Sequence, residues 1–365
     1  MKIAEVRIDA SVLEKHDPEW RFALMAAPQS LGQIVTIIAE DGSMGYGYGS
    51  AMPHYGATQE AVKATLERFT KLLIGRNARQ IAAILDELDH NVLDNNQAKA
   101  AVDMALHDLR ARQLGMPICE FFGGRCVSEF ASLRILPIKT PEKMAANARK
   151  LVKEGVRHLK IKVHGNVDED VACVAAVREE VGKDIHLTID ANQSYTVKNA
   201  ILAINRMTPF NIELAEQPVP ANDLYGLKKV TDAVSIPVEA DEAAYSLDQV
   251  ALIVRERAAD AVSLKIAKLG GLRKTYAAAK ICEAGGVKYR MGAHSGPRIL
   301  AAHGSQLAAA LPGIWYSSEL TEFEGLIGDP WEGLKLTGGV LHVSDAPGCG
   351  VTPKSDSLLP RPKKR

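Results

Sequence analysis

The chain predicts an α/β fold, a (β/α)7-8 barrel of the TIM type with an N-terminal α+β cap. Three observations point there. From about residue 130, short apolar strands alternate with amphipathic helices at about 25 residues per unit, the spacing of parallel βα repeats. The stretch before it runs strands first and helices second, which marks a separate α+β module. Charged residues then sit at the C-terminal ends of successive strands, where α/β barrels keep their chemistry.

Residues 2–9 and 33–39 read as strands by alternation or by short apolar runs. Asp41-Gly42 marks a turn, and GYGYGS (45–50) a glycine-spaced strand or loop. Helical patterning covers 58–75, 79–93 and 96–114, the last stopping at Gly115 with Pro117 just beyond. Residues 1–127 therefore form the cap, and 128–334 the barrel. Barrel strands are expected at 133–138, 158–163, 185–190, 212–217, 236–241, 260–267, 287–294 and 313–320, eight units in all. After about 335, LKLTGGVLHV reads as a hairpin returning to the first module, so that 335–365 completes the cap. The tail PRPKKR reads as a frayed, solvated end.

The bulk numbers exclude several classes. Lys+Arg and Asp+Glu both total 44, so no electrostatic affinity for nucleic acid or anionic membrane is expected. No apolar run approaches the roughly 20 residues that span a bilayer. The N-terminus alternates like a strand and lacks the apolar region of a signal peptide. The five cysteines are scattered and odd in number, giving neither a disulfide framework nor a zinc pattern. A cytoplasmic protein is the expectation.

The strand ends carry the functional reading. The second strand presents Lys160 and Lys162 on one face, since side chains alternate. The third ends on Asp190, followed by Asn192, the fourth on Glu216, and the fifth on Asp241, followed by Glu242. The sixth ends on Lys265, the seventh on His294 and the eighth on Glu319. Positions 190, 216, 241 and 265 are separated by 26, 25 and 24 residues, so the charges should recur at one height around the mouth. A lone strand-end Asp is more often a helix cap or turn residue. Three at near-equal steps, flanked by lysines that are costly in a barrel interior, outweigh that reading.

Three carboxylates without Cys or His make a hard oxygen site suited to Mg²⁺, with Mn²⁺ as the alternative. Such a cation can spread the charge that develops when a proton α to a carboxylate is removed. A lysine can take that proton if neighbouring positive charge brings its pKa down from about 10.4. Lys160 would do this for Lys162 and could also touch the substrate carboxylate. Lys265 comes from across the barrel, and a base on each side of the α-carbon permits racemisation or elimination.

At these residues the chain resembles the enolase superfamily, in its muconate lactonizing enzyme subgroup (the mandelate racemase/muconate lactonizing enzyme family). KIK (160–162), IDAN (189–192), AEQP (215–218), EADE (239–242) and LKIAKLGG (264–271) match that subgroup's ordered motifs. The resemblance implies Asp190, Glu216 and Asp241 as Mg²⁺ ligands, with Lys162 and Lys265 as the acid/base pair. It puts Glu242 behind the ligands and makes Lys268 a support of the site or turn, its side chain facing outward. Two cap loops, about 16–30 and 51–57, would close over the substrate. Trp20, Phe22, Met25, His54 and Tyr55 are then candidate contacts, weighed evenly against ordinary packing. The mandelate racemase branch pairs a strand-seven His with a strand-six Asp. Here Lys265 holds the partner position, so His294 reads as substrate-contacting or structural. Asn192, Arg298 (as an anion contact) and Glu319 complete the candidate substrate-binding set. Dipeptide epimerases carry an Asp-x-Asp pair near strand eight. SSELTEFEG (317–325) lacks it, so dipeptides are less favoured, although Glu319 and Glu322 could meet a cationic group.

The implied function is a Mg-dependent isomerase that abstracts the proton α to a substrate carboxylate through a metal-stabilised enediolate. It would be a muconate-type cycloisomerase or an amino-acid racemase/epimerase. A syn-dehydratase of a hydroxyproline-like or succinylbenzoate-precursor-like acid is the alternative. A silent, metabolite-binding barrel would show broken ligands or missing bases, and all five residues are present. The partners implied are a small-molecule carboxylate and further copies of the chain in a homo-oligomer.

Overall fold

The N-terminal strands β1 (Ile3–Glu14), β2 (Gln29–Ala39) and β3 (Met44–Ser50) form an antiparallel sheet in that order. Helices α1 (Gln59–Leu73), α2 (Ile81–Asn91) and α3 (Asn96–Leu114) follow. The alanine-rich α3 is buried on almost every side from Gln97 to Leu109, and two glycines let it lie against β3. A Cβ at Gly47 would stand 2.0 Å from the Ala101 carbonyl oxygen, and one at Gly45 2.2 Å from that of Ala105. Gly47→Ala must push sheet and helix apart. We expect it to cost about 1–3 kcal/mol, as overpacking does, measured as a lowered urea midpoint at unchanged m-value. The computed structural model describes residues 1–292, 294–357 and 359. The tail PRPKKR lies outside them.

After a short strand β4 (Glu129–Ala131) come seven parallel strands. They are β5 (Leu133–Leu136), β6 (His158–Lys162), β7 (His186–Asp190), β8 (Ile212–Glu216), β9 (Val238–Ala240), β10 (Ala261–Leu264) and β11 (Lys288–Met291). They lie side by side in chain order, the arrangement of a curling βα barrel. Helices α4 (Pro141–Lys153), α5 (Val167–Val181), α6 (Val197–Met207), α7 (Leu224–Ala233) and α8 (Leu247–Glu256) connect them. Side-chain caps start several of these helices: Asn166, Thr196, Asp223 and Ser246 each accept from a first-turn amide. After β10 the chain makes a one-turn helix α9 (Ile266–Leu269) and then α10 (Leu272–Gly285), while α11 (Arg298–Ala309) follows β11.

The expected eighth strand is not one. Residues 313–320 make isolated parallel bridges, Ile314 with Tyr289 and Ser318 with Ser132, and so link the last strand to the start of the first. Tyr316 between them is left-handed at φ 64°, which breaks the strand alternation that the apolar pattern suggested. Its ring stands edge-on to His158, 5.2 Å away, at the bottom of the barrel.

The C-terminal hairpin, β13 (Lys335–Thr337) with β14 (Val340–His342), pairs with β4 rather than with the cap sheet. Contact with the cap comes from the flanking segments. β12 (Trp331–Glu332) pairs with β15 (Thr352–Pro353), and the Trp331 ring meets Tyr46 edge-on at 5.1 Å. Asp108 of α3 accepts from the Cys349 amide at 2.7 Å, and Arg112 donates to the Val351 carbonyl at 2.6 Å. Two further contacts join α3 to the barrel. Asn96 donates to the Lys268 carbonyl at 2.8 Å, and Asp103 accepts from the Leu272 amide at 2.9 Å. Among the described residues, no helix is long and apolar enough to cross a membrane.

Candidate active site

Strand register assembles the floor of the site. Lys162 pairs laterally with Asp190, Asp190 with Glu216, and Glu216 with Glu239. The row of charges at one height therefore ends on Glu239, and Asp241 stands two residues further along, just past β9. The near-equal sequence steps hid this offset because paired rows climb around a tilted barrel. Beneath the row, Arg290 of β11 is fully buried and forks into three carboxylates. It reaches Glu239 at 2.7 Å, Glu216 at 2.6 Å and Glu319 at 2.5 Å. Lys160 fills the same layer, 3.0 Å from Glu216, 2.6 Å from Glu319 and 3.1 Å from Asp190. Burial pulls the Lys160 ammonium toward neutrality, but Glu216, Glu319 and Asp190 outweigh it and hold its pKa well above the ordinary lysine value. Glu319 thus belongs to this charged floor as well as to the wall of the cavity above it.

The upper tier carries the lysines that face the cavity. Lys162 donates to Asp190 at 2.5 Å and to the Asn192 side-chain oxygen at 2.8 Å. Asn192 in turn donates to Glu242 at 2.9 Å. Burial, followed by Asp241 and Asp190, raises the Glu242 carboxyl to about 7. Lys265 reaches Asp241 at 2.5 Å, and against the pull of burial that carboxylate keeps its ammonium above the usual range. Lys268 does not face outward. The α9 turn swings it back inside, where it is 1% exposed and donates to the Asp241 carboxylate at 2.7 Å and to its backbone carbonyl at 2.6 Å. A strand continued through Ala267 would have pointed it away. The glycine pair 270–271, both at positive φ, ends the turn instead.

Above these groups lies a cavity of about 220 Å³ lined by Lys160, Lys162, Asn192, Asp241, Glu242 and Lys265 below. Trp20, Phe22, Met25 and His54 of the two cap loops line it from the other side, with His294 at the edge. Phe22 and His54 meet edge-on at 5.3 Å, and the Lys162 ammonium stands 5.6 Å from the Phe22 ring. Tyr55 lies behind His54 and against His294, at 4.7 and 5.9 Å between rings, and does not itself line the cavity. Both ring nitrogens of His294 are buried without a hydrogen-bond partner. Burial and then Lys265 hold its pKa well below the ordinary value, so the ring is neutral.

Arg298 is not part of the site. It opens α11, donates to the Leu334 carbonyl at 2.9 Å and lies 4.2 Å over the Phe323 ring, so it braces the C-terminal segment. Sequence reasoning missed Arg290, whose signal was a guanidinium inside an apolar strand, a position that burial forbids without partners. It also missed Lys15, the residue before the first cap loop, which lines the cavity.

The donor set fits a hard divalent cation. Asp190, Glu216 and Asp241 present only carboxylate oxygens, and one oxygen each of Glu216 and Glu242 is buried with no hydrogen-bond partner. The tightest group of ligand-type atoms among the described residues is elsewhere, at Asp108, His303 and Cys349, all within 4.8 Å of one another. There Asp108 already accepts from Tyr46, Arg112 and Cys349 at 2.9, 2.7 and 2.7 Å. The adjacent guanidinium repels a cation, so that cluster is a structural joint between α3, α11 and the C-terminal segment. At the strand ends Lys160 bridges Asp190 and Glu216, while Lys265 and Lys268 hold Asp241.

Comparison with known proteins agrees with this architecture along the whole chain. Residues 5–123 match the mandelate racemase / muconate lactonizing enzyme N-terminal domain, and residues 143–357 match the enolase C-terminal domain-like family. The chain is 34% identical to a hydrophobic dipeptide epimerase of Enterococcus faecalis, over 96% of this chain and all of the relative. That enzyme's structure with Mg and the dipeptide L-Leu-L-Tyr superposes with a TM-score of 0.92 at 33% identity, covering 96% of this chain and 99% of the other. An N-succinyl-L-Arg/Lys racemase of Bacillus cereus is 32% identical over 89% of this chain and 88% of its own length. The muconate lactonizing enzyme of Pseudomonas fluorescens, complexed with muconolactone, superposes at TM-score 0.94 with 28% identity, over 97% of each chain. A capped βα barrel with lysines and carboxylates at its mouth, matched end to end by epimerases, racemases and cycloisomerases, is an isomerase of the enolase superfamily, and the chain belongs to the mandelate racemase/muconate lactonizing enzyme family.

Proposed function

We propose that the protein is a magnesium-dependent racemase or epimerase of an amino-acid-like carboxylate, with Lys162 and Lys265 exchanging the α-proton on opposite faces of the α-carbon. The supporting observation is the pair itself. Two lysines from strand ends four positions apart reach one cavity, each held by a different carboxylate. The pair permits two-sided transfer, and the similarity to epimerases and a racemase supports that form over cycloisomerisation. Mg²⁺ would be held by Asp190, Glu216 and Asp241, and when bound it supplies Lewis-acid neutralisation of the charge that builds on the substrate carboxylate. Lys160 keeps Asp190 and Glu216 in place and adds positive charge near Lys162. Asn192 orients the Lys162 ammonium. The neutral His294 offers a donor toward the cavity, and Trp20, Phe22, Met25 and His54 give the substrate an apolar wall that excludes water.

The test is exchange in D₂O. With Mg²⁺, a panel of N-acyl amino acids and dipeptides should include substrates whose α-proton signal disappears while the opposite stereoisomer grows at unchanged mass, apart from the deuterium. Loss of one water instead would establish a dehydratase. Chelation should stop the exchange. Glu216→Gln should weaken Mg²⁺ binding by at least about tenfold, the scale of losing even an outer partner of a metal site. Wild-type affinity by calorimetry would remove Glu216 from the ligand set.

A further inference from the structure

Glu216 divides its two carboxylate oxygens more sharply than Asp190 or Asp241. Its Oε2 accepts from Lys160 Nζ at 3.0 Å and from Arg290 Nη2 at 2.6 Å. Its Oε1 is buried and, among the described residues, has no hydrogen-bond partner. Asp190 instead accepts on both oxygens, from Lys162 at 2.5 Å and from the Asn192 amide at 2.9 Å. Asp241 likewise takes Lys265 and Lys268 on opposite oxygens, at 2.5 and 2.7 Å.

The hold on Glu216 Oε2 is rigid on the arginine side. Arg290 is fully buried. Its Nε and Nη2 donate to Glu239 at 2.9 and 2.7 Å, and its Nη1 donates to Glu319 at 2.5 Å. A planar guanidinium tied at both ends cannot turn away from Glu216 without stranding one of these buried carboxylates. Lys160 has Glu319 at 2.6 Å to turn to, so on its own it would release Oε2 more readily. Mg²⁺ and Ca²⁺ use such a carboxylate differently. Mg²⁺ demands a near-ideal octahedron, whereas Ca²⁺ takes more oxygens in a looser arrangement and accepts both oxygens of one carboxylate.

We infer that Arg290 is a positioning residue for the metal site. By occupying Glu216 Oε2 it leaves Oε1 as the single donor, and so makes the site discriminate against Ca²⁺. This rests on the reading of Glu216 as a metal ligand, which Glu216→Gln tests separately.

Calorimetry with Mg²⁺ and with Ca²⁺ on substrate-free protein reads the ratio of the two affinities. Arg290→Met alone strands Glu239, so the informative variant is Arg290→Met/Glu239→Gln, which loses one charge of each sign. It should raise Ca²⁺ affinity relative to Mg²⁺ by about tenfold or more, the scale on which outer partners of a metal site act. Glu239→Gln alone keeps the guanidinium. It should weaken both ions together and leave the ratio near the wild-type value. A folded double variant with the wild-type ratio overturns the inference, because a merely structural or electrostatic role would move both ions equally. If the double variant does not fold, crystal structures of the wild type with each ion decide. Glu216 should give one oxygen to the ion while Arg290 keeps the other, and both oxygens on either ion overturn the inference. Wild-type Mg²⁺ affinity in Glu216→Gln would instead refute the ligand reading, and the inference with it.

Discussion

Lys162→Ala and Lys265→Ala are each expected to lower racemisation by about 10²–10⁴-fold, the range for removing a general acid/base. The two losses should differ in kind. If the lysines serve opposite faces, each variant retains one of them. Lys265→Ala should still exchange the α-proton of one enantiomer through Lys162, and Lys162→Ala that of the other. Deuterium incorporation measured separately on the two enantiomers reads this directly. Full turnover in both variants would end the two-lysine mechanism, and equal loss of exchange on both faces would reduce it to a single base. Lys265 also neutralises Asp241, so Mg²⁺ affinity should be measured alongside. Lys268 remains at 2.7 Å to hold that carboxylate, and a variant that still binds the metal isolates the proton-transfer defect.

Arg290→Met is expected to be the most destabilising single change near the site. The guanidinium is fully buried, and its removal leaves Glu239 with no other cation in contact among the described residues. Lys160 would remain 3.0 Å from Glu216 and 2.6 Å from Glu319. Breaking one buried pair costs about 3–5 kcal/mol because a charge is stranded, so the loss in urea unfolding free energy should reach that range. Arg290→Lys should recover only part of it, since an ammonium cannot reproduce the fork to Glu239. Adding Glu239→Gln to Arg290→Met should restore some stability, and strict additivity of the two changes would show that the pair is not coupled.

The sequence exposed what depends on periodicity and hid what depends on chain direction. The βα spacing placed all seven strands, and of the ordered strand-end acids and lysines Lys162, Asp241 and Lys265 line the cavity, while Asp190 and Glu216 lie against Lys160 in the layer below. Lys268 was misdirected because one helical turn after Leu264 reverses where its side chain points, and an apolar run ending in Gly-Gly does not distinguish strand from turn. The eighth strand failed at Tyr316, a residue type rarely left-handed. Arg298, expected as an anion contact, opens α11 instead, and its side chain reaches the Leu334 carbonyl. Arg290 and Lys15 went unremarked because a single charge in an apolar strand, or at the end of one, becomes informative only once its surroundings are known.

The hydrogen bond from Asn96 to the Lys268 carbonyl bears on how such enzymes can be diversified. The turn that aims Lys268 at Asp241 is anchored by the first residue of the long cap helix. Recombination that exchanges the whole cap would therefore disturb a carboxylate at the barrel mouth, even where the incoming cap carried an ideal binding surface. Transplanting only residues 15–28 and 51–57 leaves that anchor intact. New selectivity in this lineage should accordingly be most accessible through loop grafts rather than through shuffling of entire modules.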